Sequence, residues 1–142
     1  MTLKTLDDPV PWLLLHPERC FRTGKINEVD LANGVWLDAL LSGSRDVIVR
    51  HSDDTWVIAS SMDWLRESAL SAPDLFTRII PLTSGGPNSM RSEIILNAFC
   101  AEVIAVVAGV VVFDKAGTGV RKVLEDVLSQ WPECVAGVAF RL

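Results

Sequence analysis

Three short stretches hold the residue types that chemistry needs. The first is VVVFDKAGTGV, Val110 to Val120, where a β-branched run ends at Asp114 and a small-residue loop leads into a helical pattern. An aspartate at a strand's end, beside a loop of free backbone N–H donors, could attack phosphorus as a nucleophile. Gly117, Thr118 and Gly119 also suit an anion, because orphan N–H groups and the helix dipole meet at a helix start. The second stretch is SGGPNSMR, Ser84 to Arg91, another expected helix start. Ser89 and Arg91 could hold a carboxylate or phosphate there. An Arg in a first helical turn opposes the dipole, so it calls for an anionic partner, either a ligand or an acid of the fold. The third is His51-Ser52-Asp53-Asp54, the only cluster that joins a His, acids and a hydroxyl. As a general base, His51 would need a nucleophile such as Cys20 or Ser89 brought close by folding, with Asp53 beside it.

Each stretch also has a plain structural reading. The run from Phe113 to Gly119 is similar to the phosphorylation motif of P-type ATPases, of the haloacid-dehalogenase-like class, which implies Asp114 as phosphoryl acceptor. That chemistry also needs a Lys and paired metal-binding acids on later strands. The acids after Asp114 are Glu125, Asp126 and Glu133, on a helix surface or a turn, and Ala116 stands where a Thr or second Asp is expected. The likeness is therefore one of strand-turn-helix grammar. No family resemblance extends across the chain. The 117–119 turn lacks the third Gly of a dinucleotide fingerprint, Lys122 taking its place, and it lacks the Gly-Lys-Ser/Thr of a P-loop. His51 to Asp54 reads equally as a hairpin tip, where Asx side chains form turns. His16 stands four residues before Cys20, but Pro17 breaks the helix that would aim both at one metal. With two His in the chain, neither a metal site nor a cofactor is expected.

The elements that must position these residues come from a chain of 142 residues with a net charge of −5. That length fits one domain. Its composition, 49% apolar and 22% charged, is globular. Basic residues are scattered singly, which excludes a nucleic-acid stripe and argues against an anionic membrane surface. The three cysteines, Cys20, Cys100 and Cys134, form no C-x-x-C pair and signal neither a disulfide framework nor a zinc knuckle. No signal peptide is read at the N-terminus, so a cytoplasmic location is expected. The apolar run from Ile94 to Phe113 has the length of a bilayer span. Glu102 within it would cost about 2.5–3.5 kcal/mol at mid-membrane, and a helix followed by a strand suits it better.

Residues 1–25 read as an arm packed on the body by Trp12 and Leu13 to Leu15, and 26–142 as a single α+β domain. Asn27 caps a helix that Gly43 ends. Asp46–Arg50 and Thr55–Ala59 form a hairpin. Ser60-x-x-Asp63 has the capping-box spacing and predicts a helix to about Leu70. Ser71 to Asp74 reads as a turn and Arg78 to Leu82 as a short strand. A helix capped by Asn88 or Ser89 is favoured to about Ala105, with a strand over 91–105 as the alternative because the apolar run has little clean period. Val106–Phe113 and Cys134–Phe140 flank an amphipathic helix from Val120 to Trp131 that Thr118 caps and Pro132 stops. The expected fold is thus a mixed sheet with an antiparallel hairpin and a C-terminal β-α-β unit, with helices on one face.

Function is expected to be non-enzymatic: a small acidic domain that binds another protein, of the adaptor, chaperone or neutralising type. Five Trp and no Tyr favour a binding face, with Trp12, Trp56 and Trp64 as partner-binding candidates. The strand from Cys134 to Leu142 could pair with its own copy as a homodimer. The alternatives are an anion-binding domain in which the 84–91 loop and the 117–119 turn converge, and a small enzyme with His51 as base.

Overall fold

A computed structural model describes residues 8–66, 70–81 and 90–142. Among them five α-helices surround a five-stranded sheet, so the α+β class holds. The elements are α1 (Val10–Leu15), a 3-10 turn (Pro17–Arg19), α2 (Glu28–Leu41), β1 (Val47–Ser52), β2 (Thr55–Ser60), α3 (Ala72–Thr77), α4 (Glu93–Phe99), β3 (Glu102–Val107), β4 (Val110–Lys115), α5 (Thr118–Gln130) and β5 (Ala136–Arg141).

The sheet runs in the order β1-β2-β5-β3-β4, with every neighbouring pair antiparallel. Strands β4 and β5 are joined through α5 and run parallel, with β3 inserted between them. The expected β-α-β unit is therefore a split one, and the expected mixed sheet is antiparallel throughout. Helices also cover both faces rather than one. Side chains alternate along each strand: Val57, Ala59, Ile104, Val106 and Ala139 meet Val120, Leu124 and Val127 of α5. Ile58, Val103, Ala105, Val138 and Phe140 turn the other way, into a larger core under the remaining helices.

Local chemistry explains the boundaries. Asn27 Oδ1 accepts from the N–H of Val29 (2.9 Å) and Asp30 (3.2 Å), opening α2 as predicted. Gly34 sits inside α2 because a Cβ there would lie 2.6 Å from Oγ of Ser92, where the start of α4 presses on the helix. The predicted helix after Ser60-x-x-Asp63 is absent over residues 61–66. Ser60 ends β2, its hydroxyl bonds Ser44 Oγ (3.0 Å), and the N–H of Met62 turns back onto it. The box forms instead at Ser71 and Asp74, which start α3 where a turn was expected.

The apolar run from Ile94 resolves into a helix and a hairpin. Helix α4 ends at Phe99, short of the predicted Ala105, and the single strand expected over 106–113 is two, β3 and β4. Ala108 (φ 50°) and Gly109 (φ 79°) form their two-residue turn, the left-handed pair that hairpins favour. No helix among the described residues is long and apolar enough to cross a membrane. Of the predicted strand 78–82, the described part holds one bridge, Pro81 to Met90, and Leu82 lies outside the described residues. Of the residues expected to anchor the arm, Leu13 is buried but Leu14 and Leu15 are exposed; Phe21 is also buried and meets Phe99 edge to face at 5.1 Å.

Candidate functional site: an apolar helix side beside an open strand edge

Asp114 is a turn former in this fold. Its Oδ1 accepts the N–H of Gly117 at 2.8 Å, so the carboxylate occupies the start of α5 where an anion would bind. Gly117 is required by close approach: a Cβ would lie 2.9 Å from Asp114 Oδ1, Ile104 Cβ and Val103 O. Thr118 is the first helical residue rather than the cap. Gly119 adjoins the ion pair of Glu102 and Arg141, whose carboxylate a Cβ would crowd.

Arg91 is wholly buried. Its guanidinium donates to Glu93 (Nη2 to Oε1, 2.8 Å; Nε to Oε2, 3.2 Å), to Ser42 Oγ (3.0 Å) and to the carbonyl of Trp64 (2.7 Å). Asp38 stands 3.9 Å from Nε and accepts the N–H of Ser92 at 2.6 Å. Burial, then the charge and hydrogen bond of Glu93, push the Asp38 carboxyl up to about 9. The anionic partners of Arg91 are thus acids of the fold. Helix α4 lies over one face of the sheet and α5 over the other. The two helix starts are not brought together, so the convergent anion pocket does not form from Arg91 and Gly117–Gly119. Ser89 and the rest of the 82–89 loop lie outside the described residues.

His51 lies flat on Trp56, ring centroids 4.2 Å apart and planes 7° from parallel, as a cross-strand pair. Asp53 (φ 48°) and Asp54 (φ 63°) form the two-residue turn beyond it. Burial raises all three thiols: Cys100 to about 12, Cys20 with help from Glu18, and Cys134 with help from Glu133 and Asp46. Raised thiols are poor nucleophiles at neutral pH. Among the described residues no group of three or more His, Cys, Asp or Glu is arranged to hold a metal ion.

Of the partner-binding candidates, Trp64 is wholly buried in the core and is closed to a partner. Trp12 is half-buried and stacked on His16 at 4.2 Å; Trp56 is half-buried under His51. The open Trp is Trp36 on α2. It is 38% exposed, with Val29 at 48%, Leu37 at 47% and Leu41 at 40%. These positions sit seven, eight and twelve residues after Val29, so they share one side at about 3.6 residues per turn. Helix α2 is apolar on both sides: Leu31, Ala32, Val35 and Ala39 are buried beneath it. The sequence signal was present, since α2 has more apolar residues than one buried stripe needs. Beside α2 lies β1, the end strand of the sheet, with Val49 41% exposed.

Comparison of the chain with protein-family models, with curated proteins and with solved structures finds no match.

Proposed function

We propose that this chain is a non-enzymatic protein-interaction domain of the adaptor, chaperone or neutralising kind, and that its contact surface is the exposed side of α2 with the neighbouring edge of β1. One observation carries the reading: Val29, Trp36, Leu37 and Leu41 are exposed apolar residues grouped around Asn33 on a helix whose opposite side already fills the core. Single exposed apolar residues are ordinary, but several grouped on one helix side next to an edge strand mark contact surfaces. The sequence-singled chemistry supports the same reading, because Asp114 caps a turn and Arg91 is held by acids of the fold.

The test is affinity capture from the native host with a tagged chain, compared with Leu37→Asp/Leu41→Asp. A stoichiometric partner that binds the native chain and is lost with the double variant supports the assignment. A partner retained equally by both sinks this surface.

A further inference from the structure

We propose that the β1 edge pairs antiparallel with the β1 edge of a second copy, in a register centred on Ile48. The proposal rests on the interaction reading above and names its partner. The predicted self-pairing strand, Cys134 to Leu142, is not available: β5 lies at the centre of the sheet between β2 and β3 and is buried. Among the described residues the unpaired edges of the sheet are those of β1 and β4. On β4 the ladder is interrupted where Ala105 faces Phe113 but Val106 faces Val111, leaving Val112 as an extra residue. Such bulges blunt an edge. Strand β1 pairs with β2 without interruption over all six residues.

The hairpin geometry fixes which groups face outward. Ser52 and Thr55 flank a two-residue turn, so they form its hydrogen-bonded pair, and hydrogen-bonded pairs alternate from there. Arg50 and Ile48 therefore point their N–H and C=O toward β2, while Val47, Val49 and His51 present theirs to the open side. A two-fold axis normal to the sheet pairs residues of like parity, keeping each side chain on its own face. Centred on Ile48, Val47 of each copy faces Val49 of the other in hydrogen-bonded pairs. Asp46 of each faces Arg50 of the other, giving two opposite-charge pairs, and both residues are exposed. Centring on Arg50 would instead oppose two guanidinium groups, and centring on Val49 would set Arg50 against Ile48. Charge complementarity selects the Ile48 register.

The helices reinforce it. Helix α2 meets α4 through Gly34 and Asp38, both against Ser92. Val29, Trp36 and Leu40 lie on the opposite flank at helical spacing. That flank is on the β1 side, because α2 packs over β1 and β2 while α4, on its other flank, meets α3, which packs on β4 at the far end of the sheet. A two-fold at Ile48 brings the α2 flanks of both copies together above Val47 and Val49. A strand pair alone is small against the roughly 1,200–2,000 Å² of a stable interface, and these apolar flanks extend it.

The test is sedimentation velocity over a concentration series for the native chain, Arg50→Asp, Asp46→Arg and an equimolar mixture of the two variants. The native chain is expected to dimerise, and each variant to weaken self-association by about tenfold or more, since like charges then oppose. The mixture is expected to recover a dimer, because each seam position again faces its opposite charge. Val49→Pro serves as an independent variant: it removes an outward N–H without touching the β1–β2 ladder, and it should abolish the dimer in a folded chain. A monomeric native chain, or a dimer indifferent to Val49→Pro and both charge reversals, overturns the proposal. If the native chain is monomeric yet captures a different protein through Leu37 and Leu41, self-pairing fails and the interaction reading stands.

Discussion

Nη2 of Arg91 lies 2.8 Å from Oε1 of Glu93, and both side chains are wholly buried. Asp38, from α2, stands on the same guanidinium at 3.9 Å. Two acids thus crowd one cation in a low-dielectric interior, where two adjacent carboxylates resist ionising together. The Asp38 carboxyl is accordingly the one pushed up, to about 9. This cluster ties α2, the carbonyl of Trp64 and the start of α4 into one unit.

The cluster makes stability depend on pH. The folded carboxyl of Asp38 titrates above its ordinary value of 3.8. The folded state therefore holds a proton that the unfolded chain has released, and stability falls as pH rises between the two values. The contribution is complete below pH 4 or so and gone above about 9. Urea unfolding from about pH 5 to 8 should show the native chain losing up to about 1.4 kcal/mol per pH unit relative to Asp38→Asn. Parallel profiles for the two chains would mean that Asp38 is ionised in the fold.

Arg91→Met should destabilise far more than a surface change. It leaves the Glu93 carboxylate buried without the guanidinium that compensates it, and breaking a buried pair from one side costs about 3–5 kcal/mol. Chemical denaturation should place the variant near the limit of folding. A loss under about 1 kcal/mol would show that water reaches the cluster.

Asp114 is expected to behave as a cap. Asp114→Ala removes the acceptor for the Gly117 N–H, a loss of about 1 kcal/mol, whereas Asp114→Asn keeps a carbonyl oxygen there and should cost much less. Gly117→Ala, whose Cβ would press on Val103 O and Ile104 Cβ, should cost about 1–3 kcal/mol as an overpacked site. Thermal unfolding of the three variants checks the order.

The contrast between two like patterns shows how much of this was legible. Ser60-x-x-Asp63 and Ser71-x-x-Asp74 have the same spacing, yet only the second caps a helix. The first serine belongs to β2, where cross-strand pairing with Val47 decides its backbone, and no local rule contains that partner. The hairpin at 47–60 and helices α2 and α5 were readable because caps, turn residues and periodicity agreed there. The β3–β4 hairpin was hidden because both strands are apolar and only Ala108-Gly109 marks the turn. Residue type flagged Arg91 as needing an anion; which acids answered depended on how α2 and α4 pack. Among the tryptophans, type alone nominated Trp12, Trp56 and Trp64 alike, whereas burial shows that Trp64 is enclosed and Trp36 is the exposed one.

Lys115 should be worth more than its half-buried position suggests. Its Nζ donates to the carbonyls of Asn97 (2.5 Å) and Cys100 (2.7 Å), closing the C-terminal end of α4 with a positive charge. Charge-assisted bonds at a helix C-terminus favour the fold by about 1–2 kcal/mol. Lys115→Met keeps the aliphatic stem and should lose about that much. Amide exchange should quicken at Phe99 and Cys100 before the sheet is affected, and uniform quickening across the sheet would argue against a local cap.

The β1–β2 turn offers a gain rather than a loss. Asp53 and Asp54 both hold positive φ, 48° and 63°, which L-residues other than Asn and Gly adopt at a cost. Their adjacent carboxylates also repel each other. Asn-Gly is the preferred pair for such a two-residue turn, so Asp53→Asn/Asp54→Gly should raise stability by about 1 kcal/mol. It should leave the Trp56–His51 stack unchanged, read as an unaltered near-ultraviolet spectrum. Because the turn holds β1 in register with β2, a firmer hairpin presents a better-ordered edge to a second copy. The double variant should therefore dimerise at least as tightly as the native chain in sedimentation. Weaker association would mean that the free edge must move in order to pair.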